Sequence, residues 1–338
     1  MKRFLLALGL MVSPALAAEP PRIVAEDLRI PSDTPGIELF LRNKRPATLT
    51  SFRPERTVLY IHGSTQPSET VFDLPIEGES WADRIAARGF DVWLVDVRGY
   101  GRSTRPASFR EPAANGAPFG TTAEAVRDLG TAVDFIRSRR GIERLSLIGW
   151  SWGTIITGAY AGENPGRVAS LVLIGPPWTE QGTPAASPAA PVGVWQEWTA
   201  EIGLRRLQQG VPAGEAERIF PAATRAAWEA ALLESIPEAA ASNPPRFRSP
   251  AGVLADGPAY WRAGRDFHDP ARITAPTLII LGEWDGLAPL RQAQALFSRL
   301  RNAPVRRLVE LPRASHFVLV ETGRDALHRE VQSFLEQD

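Results

Sequence analysis

Residues 145–161 read LSLIGWSWGTIITGAYA, and the rest of the chain can be interpreted outward from them. The stretch begins with a short apolar run of the kind found in strands that are buried on both faces of a parallel sheet. It then places Ser151 in a G-x-S-x-G pattern at residues 149–153 and continues in residues that favour a helix. Such a strand–turn–helix holds its serine at the helix N-terminus with the hydroxyl exposed. The pattern therefore predicts that Ser151 is a nucleophile.

Strands and helices alternate on both sides of this turn. Apolar runs predict six strands before residue 176, at 22–28, 37–42, 57–61, 91–96, 145–148 and 171–174. Helices are predicted between the later strands, at 80–88, 121–139 and 152–161. Alternation of this kind indicates βαβ units and a parallel sheet, so the fold class is α/β.

The alternation stops at residue 176 and returns only near the C-terminus. Residues 176–270 contain no comparable strand signal and instead show helix-like segments at 194–209, 214–219 and 222–235. Strands are then predicted at 277–281 and 305–311, with a closing helix at 322–336. We interpret this as one α/β domain, residues 18–175 and 271–338, interrupted by a mostly helical insertion at 176–270.

The N-terminus has the features of a targeting segment. Lys2 and Arg3 precede an apolar run at residues 4–12, and Ala15-Leu16-Ala17 has the small-residue pattern of a signal-peptidase site. The apolar run is too short to be a stable membrane anchor. We expect residues 1–17 to be a signal peptide cleaved near Ala17, with the mature protein periplasmic or secreted.

The composition argues against several other kinds of site and partner. The chain has 38 basic and 38 acidic residues, whereas nucleic-acid-binding proteins show a basic excess or stripe. It has no cysteine, so a disulfide, a thiol nucleophile or a thiolate metal site is impossible. The four histidines lack metal-ligand spacing, and no phosphate-binding glycine motif is present. We therefore expect no metal, no other cofactor and no nucleic-acid partner.

A serine hydroxyl needs a base to take its proton, and the histidines can be compared for this role. His62 follows a predicted strand directly, and we interpret it as supporting the loop that it begins. His268 lies at the end of the insertion, and His328 lies in a polar helical run where it looks solvated. His316 lies in the loop after the last strand, where the base belongs if the order along the chain is nucleophile, acid, base. His316 is therefore the predicted base.

The acid is expected in the loop after the preceding strand. That loop offers two carboxylates, Glu283 and Asp285. We prefer Asp285 because it lies deeper in the loop and precedes Gly286, while Glu283 stays as the alternative. The acid would fix the imidazole tautomer and stabilise the imidazolium ion.

Acyl transfer also needs donors for the negative charge that develops on the carbonyl oxygen. One candidate is the backbone N–H of Trp152, the residue after the nucleophile. The other is the N–H of Ser64, in the loop His62-Gly63-Ser64-Thr65 after the third strand, where Gly63 permits a tight turn.

Taken together, these residues resemble the α/β-hydrolase superfamily over nearly the whole mature chain. The resemblance rests on His62-Gly63, on DVRGYGRS at 96–103, on GWSWG at 149–153, on GEWD at 282–285 and on Ser315-His316. It implies a mostly parallel eight-stranded sheet with helices on both faces, and a helical cap formed by the insertion.

In capped members of that superfamily the cap supplies most of the substrate pocket. Five tryptophans in or beside the predicted site, Trp150, Trp178, Trp195, Trp198 and Trp284, are candidates to line an apolar pocket. For any single tryptophan, ordinary core packing is the competing interpretation.

The resemblance leaves three functions open. The first is hydrolysis of a small carboxylic ester or lactone with an apolar group, through an acyl-enzyme on Ser151. The second is aminopeptidase or amidase activity, because prolyl aminopeptidases share the Gly-Arg-Ser and Ser-Trp-Gly patterns. Their caps carry acidic residues that hold the substrate amine, and Glu180, Glu197 and Glu201 are the candidates here.

The third is a catalytically inactive binding protein. Epoxide hydrolases and haloalkane dehalogenases are set aside because they have aspartate where this chain has Ser151.

Overall fold

The computed structural model describes residues 20–179, 192–236 and 241–337. The expected signal peptide lies outside the described residues. The strands are β1 (Ile23–Pro31), β2 (Glu38–Pro46), β3 (Thr57–Ile61), β4 (Asp91–Asp96), β5 (Leu145–Trp150), β6 (Val168–Ile174), β7 (Trp195–Trp198), β8 (Phe247–Pro250), β9 (Thr277–Gly282) and β10 (Arg306–Leu311). The helices are α1 (Trp81–Ala87), α2 (Thr122–Arg140), α3 (Trp152–Glu163), α4 (Ala200–Leu207), α5 (Ala216–Ile219), α6 (Ala222–Ser235), α7 (Gly252–Ala259), α8 (Leu290–Arg299) and α9 (Arg324–Leu335).

One eight-stranded sheet organises the fold, in the order β1-β2-β4-β3-β5-β6-β9-β10. Within this sheet the pairs β4–β3, β3–β5, β5–β6, β6–β9 and β9–β10 are parallel, while β1–β2 and β2–β4 are antiparallel. The predicted α/β class and mostly parallel eight-stranded sheet are therefore confirmed. All residues of β3, β4, β5 and β9 are buried, which explains why their sequences are apolar without alternation.

Helices cover both faces of the sheet. On one face α1 and α9 contribute buried side chains that include Trp81, Ile85 and Val331. On the other face α2, α3 and α8 do the same, with Leu129 and Leu296 among them. Helix α1 begins where the sequence predicts: the N–H of Asp83 donates to Ser80 Oγ at 3.0 Å and the N–H of Ser80 donates back to the Asp83 carboxylate. This reciprocal capping satisfies two N–H groups that a helix end leaves free.

The segment 176–270, which we call the cap, holds α4 to α7; α4, α5 and α6 fall within the predicted helix-like segments, whereas α7 was not predicted. It also contains a two-stranded antiparallel sheet, β7 with β8, so the expectation that it holds no strand was wrong. The predicted helix at 194–209 instead begins as β7, and α4 starts at Ala200. The reason is non-local: β7 is held by β8, fifty residues away, including a hydrogen bond of 2.9 Å from Trp198 Nε1 to Ser249 Oγ.

The cap is attached to two loops at the carboxyl ends of the parallel strands. The N–H of Gly286, after β9, donates to the Gln209 carbonyl at 2.8 Å. Trp228 Nε1 on α6 donates to Gln66 Oε1, in the loop after β3, at 2.6 Å. These loops carry the predicted site residues, so the cap and the site are in direct contact. In the part of the chain that the structure describes, we find no helix long and apolar enough to cross a membrane.

Candidate active site

Ser151 lies at the turn between β5 and α3, in a backbone conformation that non-glycine residues rarely adopt. Its φ is 54° and its ψ is −122°, and its N–H donates to the Ile174 carbonyl of the neighbouring strand at 2.8 Å. A Cβ on Gly149 would lie 2.5 Å from the Gly153 carbonyl oxygen, and one on Gly153 would lie 2.6 Å from the Ile61 oxygen. Both glycines are therefore required by close packing, and a strained serine at such a turn is typical of a functional site.

Ser151, His316 and Asp285 are hydrogen-bonded in series. His316 Nε2 lies 2.7 Å from Ser151 Oγ, and His316 Nδ1 lies 2.7 Å from Asp285 Oδ2. Because a carboxylate can only accept, Nδ1 carries the proton, which leaves Nε2 free to accept the serine proton. The other carboxylate oxygen, Oδ1, accepts the N–H groups of Leu287 and Ala288 at 3.0 and 2.7 Å. The structure thus brings together the three residues selected from the sequence.

Glu283, the alternative acid, lies elsewhere. Its side chain is exposed, and its Oε2 accepts the N–H of Arg313 at 2.9 Å. Glu283 makes no hydrogen bond with His316, and it instead stabilises the loop that precedes the base.

Glu321 stabilises the loop that carries His316 through hydrogen bonds to Ser315, and the sequence analysis did not select this residue. Its carboxyl oxygens accept the N–H of Ser315 at 2.9 Å and the Ser315 hydroxyl at 2.5 Å. The side chain is buried, which raises the pKa of Glu321 to about 7, and the nearby Asp285 carboxylate acts in the same direction. The available signal was an acidic residue that ends the apolar run Phe317-Val-Leu-Val.

The predicted oxyanion donors flank the nucleophile. Neither the Ser64 N–H nor the Trp152 N–H has an acceptor among residues 20–179, 192–236 and 241–337. Gly63 packs against the nucleophile so closely that a Cβ there would lie 3.2 Å from Ser151 Cβ. The peptide unit that carries the Ser64 N–H is held at its Gly63 carbonyl by His62 Nδ1 at 2.6 Å, and the Tyr100 hydroxyl donates to the Ser64 carbonyl at 2.7 Å. Two free backbone donors beside one serine can stabilise a developing oxyanion.

His62 joins the loops after β3 and β4. Its Nε2 accepts the Val97 N–H at 3.2 Å, so Nδ1 must be the protonated nitrogen that donates to the Gly63 carbonyl at 2.6 Å. Complete burial lowers the pKa of His62 to about 4, which keeps the ring neutral. This arrangement fits the supporting role expected for His62.

The loop at 96–103 is anchored by a buried ion pair. The Arg98 guanidinium donates to both carboxylate oxygens of Asp128, at 2.6 and 2.9 Å, and the Arg98 N–H donates to the same side chain at 2.9 Å. The side chains of both partners are almost wholly inaccessible. The pair fixes the loop that carries Tyr100 and so acts indirectly on the oxyanion donors.

The remaining histidines are buried packing residues. His328 was expected to be solvated, and this was wrong: its ring stacks on Trp81 at 4.6 Å, because α9 turns this face toward α1. Burial lowers its pKa to about 3. His268 packs edge-on against Trp178 at 5.0 Å, and burial lowers its pKa to about 4. Within the described ranges, no group of three or more His, Asp and Glu side chains could hold a metal ion.

The five candidate tryptophans do not form one pocket. Trp150 is buried behind the base, with its Nε1 donating to the His316 carbonyl at 3.0 Å. Trp178 is buried against His268. Trp195 lies on the small sheet, where its Nε1 donates to the Glu111 carbonyl at 3.0 Å. These three have structural contacts that account for them.

Trp198 and Trp284 differ from the other three. Both are only partly buried and pack against the same apolar cluster, on the side where α4 meets the loop after β9. They are therefore the two tryptophans that the structure leaves as candidates for substrate contact.

A parallel sheet with a serine at the turn after β5, a histidine after β10 and an aspartate after β9 defines an α/β hydrolase. Residues 56–322 match the family model described as alpha/beta hydrolase fold. This match covers most of the chain, and the protein therefore belongs to that family and is a hydrolase.

Relatives within the family differ in what they are named for. The chain is 27% identical over 271 residues to a proline iminopeptidase of Neisseria meningitidis, covering 73% of this chain and 80% of the relative. It is also 27% identical over 299 residues to a 2-hydroxy-6-oxononadienedioate/2-hydroxy-6-oxononatrienedioate hydrolase of Cupriavidus pinatubonensis, covering 82% and 86%. The solved structure of a thermophilic esterase from Thermogutta terrifontis superposes with a TM-score of 0.56 at 20% identity, covering 92% of this chain and 98% of that one.

Proposed function

We propose that the protein is a serine hydrolase that cleaves a small carboxylic ester or lactone through an acyl-enzyme on Ser151. The observation that supports this most strongly is the unbroken series of hydrogen bonds from Asp285 through His316 to the Ser151 hydroxyl. Every group that acyl transfer needs, a nucleophile, a base, an orienting acid and two free N–H donors, lies within one buried site.

The proposed reaction has two halves. Ser151 Oγ attacks the ester carbonyl while His316 Nε2 takes its proton, and the oxyanion is stabilised by the N–H groups of Ser64 and Trp152. The intermediate then collapses, the C–O bond of the ester breaks, and the imidazolium gives its proton to the departing alcohol. In the second half His316 Nε2 takes a proton from the water that attacks the acyl carbonyl. The bond between Ser151 Oγ and the acyl carbon then breaks, the imidazolium returns the proton to Ser151 Oγ, and the acid is released.

The second candidate is an aminopeptidase, which the name of the Neisseria relative favours. It needs a free acidic group in the cap to hold a substrate amine. Glu197 instead pairs with Arg246 at 2.7 Å, and Glu201 pairs with Arg205 at 2.6 Å on the exposed face of α4. Glu180 lies outside the described residues. Two of the three candidate carboxylates are thus neutralised at the surface, which weighs against this alternative.

An apolar substrate group would lie against Trp198 and Trp284 in this proposal. The third alternative, an inactive protein that only binds, is disfavoured because it gives no reason to keep a strained serine beside a neutral imidazole.

A panel of esters, lactones and aminoacyl amides, run on the wild type and on Ser151→Ala, tests the proposal. We expect the wild type to cleave esters or lactones, and Ser151→Ala to lose at least about a thousandfold in kcat/KM while keeping its circular dichroism spectrum. A fluorophosphonate should label the wild type and not the variant. Cleavage confined to aminoacyl amides with a free amine would favour the aminopeptidase, and absence of labelling would favour the inactive protein.

We also propose that the protein is exported, on the strength of the pattern at residues 2–17. Mass spectrometry of the protein expressed with its N-terminus intact should find a mature chain that starts near Ala18. An uncleaved chain retained in the cytoplasm would contradict this.

A further inference from the structure

Arg206 lies in the last turn of α4, where the cap rests on the loop that carries the proposed acid. The Gln209 carbonyl accepts the N–H of Gly286 at 2.8 Å. Gly210 is so close to the same loop that a Cβ there would lie 2.5 Å from the Trp284 carbonyl oxygen. The end of α4 is therefore held against the site, and Arg206 with it.

The guanidinium of Arg206 lies near charged and polar groups of the proposed site. It is within electrostatic reach of Asp285 on the acid side and of the Tyr100 hydroxyl on the oxyanion side. Tyr100 in turn donates to the carbonyl of Ser64. Arg262, a second cation, is also within this reach, so a ligand here would meet two guanidinium groups.

Arg206 has no anionic partner. In the ranges that the structure describes it forms no salt bridge and donates no side-chain hydrogen bond, and its closest aromatic neighbour is Trp198, with the ring centroid at 5.9 Å. Asp285 forms no salt bridge with it, and the oxygens of that carboxylate accept from His316, Leu287 and Ala288 instead. Burial lowers the pKa of Arg206, since desolvation disfavours its charge.

The adjacent residue shows what an ordinary surface arginine does on the same helix. Arg205 is exposed and pairs with Glu201 one turn earlier, at 2.6 Å. Arg206 is partly buried and forms no salt bridge among the described residues, so its charge is available to a bound anion. Its planar fork of donors matches a carboxylate in two parallel hydrogen bonds.

We propose that Arg206 binds a carboxylate of the substrate, so that the enzyme prefers esters or lactones that carry a negative charge near the reacting carbonyl. This rests on the serine-hydrolase function proposed above and adds the class of substrate. It also disfavours a substrate with a free ammonium group, which would face two cations.

Two matched pairs of esters measure the preference. Mono-para-nitrophenyl glutarate and para-nitrophenyl pentanoate differ by a carboxylate in the acyl group. Para-acetoxybenzoate and phenyl acetate differ by a carboxylate in the leaving group. We expect the wild type to prefer the anionic member of at least one pair, and that pair identifies the side of the carbonyl that Arg206 binds.

Substitution of Arg206 separates its role from general damage. In Arg206→Gln the ratio of kcat/KM for the anionic ester to that for the neutral ester should fall by about ten- to a hundredfold, mainly through KM. Arg206→Lys should restore part of the ratio, because the charge remains without the fork. Arg205→Gln, next in the sequence but facing solvent, should leave the ratio unchanged. An equal loss on both esters, or a wild type that does not discriminate, would overturn the proposal.

A binding assay keeps this result independent of ester turnover. Meta-carboxyphenylboronic acid should protect Ser151 from a neutral fluorophosphonate at about tenfold lower concentration than phenylboronic acid in the wild type, and at equal concentration in Arg206→Gln. If no ester is cleaved but this difference is found, the ester-hydrolase proposal fails and the carboxylate site stands. If esters are cleaved but the two boronates protect equally, the carboxylate site fails alone.

Discussion

Replacing Glu321 with glutamine should stabilise the protein at neutral pH and leave it nearly unchanged at pH 4. Burial raises the pKa of Glu321 from 4.5 to about 7. Between these values the unfolded chain has lost the proton while the folded protein keeps it, so the stability from this group is present below pH 4.5 and is lost as pH rises through 7. One pKa unit corresponds to 1.36 kcal/mol, so the loss amounts to roughly 3 kcal/mol by pH 8.

Glutamine can replace the protonated carboxyl without this penalty. Its oxygen can accept the Ser315 N–H and its NH₂ can donate to the Ser315 hydroxyl, at the positions where Glu321 now makes contacts of 2.9 and 2.5 Å. The loop before His316 should therefore keep its position.

Urea unfolding at pH 4, 5, 6, 7 and 8 measures the effect. The free energy of unfolding of Glu321→Gln minus that of the wild type should rise by roughly 3 kcal/mol from the lowest pH to the highest. Glu310→Gln removes an exposed carboxyl on β10 and is the matched control, for which we expect a flat difference. If the difference for Glu321→Gln is also flat, the carboxyl is ionised in the folded protein at acidic pH and the reasoning is refuted.

Two further substitutions test the packing around the site. Gly175 has φ 54°, and a Cβ there would lie 2.9 Å from Asp285 Oδ2, so Gly175→Ala should lower kcat/KM by about a hundredfold through displacement of the acid. Gly36→Ala has a similar positive φ but no atom within 4 Å of the new Cβ, so an equal loss there would point to backbone strain alone. Arg98→Met leaves the buried Asp128 without its partner and should lower the free energy of unfolding by about 3–5 kcal/mol in urea titrations. A loss below about 1 kcal/mol would show that the pair contributes little.

The turn at Ser151 could be predicted because its constraints lie within a few residues. The buried strand, the two glycines and the following helix are all visible in 145–161, and each has a local physical reason. His316 and Asp285 followed from chain order, which the sheet topology imposes on the loops. The structure brings these three residues together, while their catalytic roles stay predictions until Ser151→Ala is measured.

Features that depend on distant residues could not be predicted. The local sequence of β7 predicts a helix, because the pairing with β8 is not visible in it. The local sequence around His328 predicts a solvated side chain, because the contact with Trp81 of α1 is not visible in it. The five candidate tryptophans were grouped by composition, whereas packing places them at four separate positions. Arg206 carries no motif, and it differs from Arg205 only in the folded chain, where Arg205 is exposed and pairs with Glu201 while Arg206 is partly buried.

Two of the hydrogen bonds that join the cap to the core beside the site bear on how interchangeable this segment is among relatives. Gln209 reaches Gly286 through its backbone carbonyl, so a transplanted cap with the same backbone path would keep that attachment with any residue at position 209. Trp228 reaches Gln66 through its side chain, so this attachment survives only if donor and acceptor are transferred as a pair. In a chimaera the acid side of the site should tolerate a foreign cap, while the oxyanion side should require its own residue at position 66 to be redesigned with it.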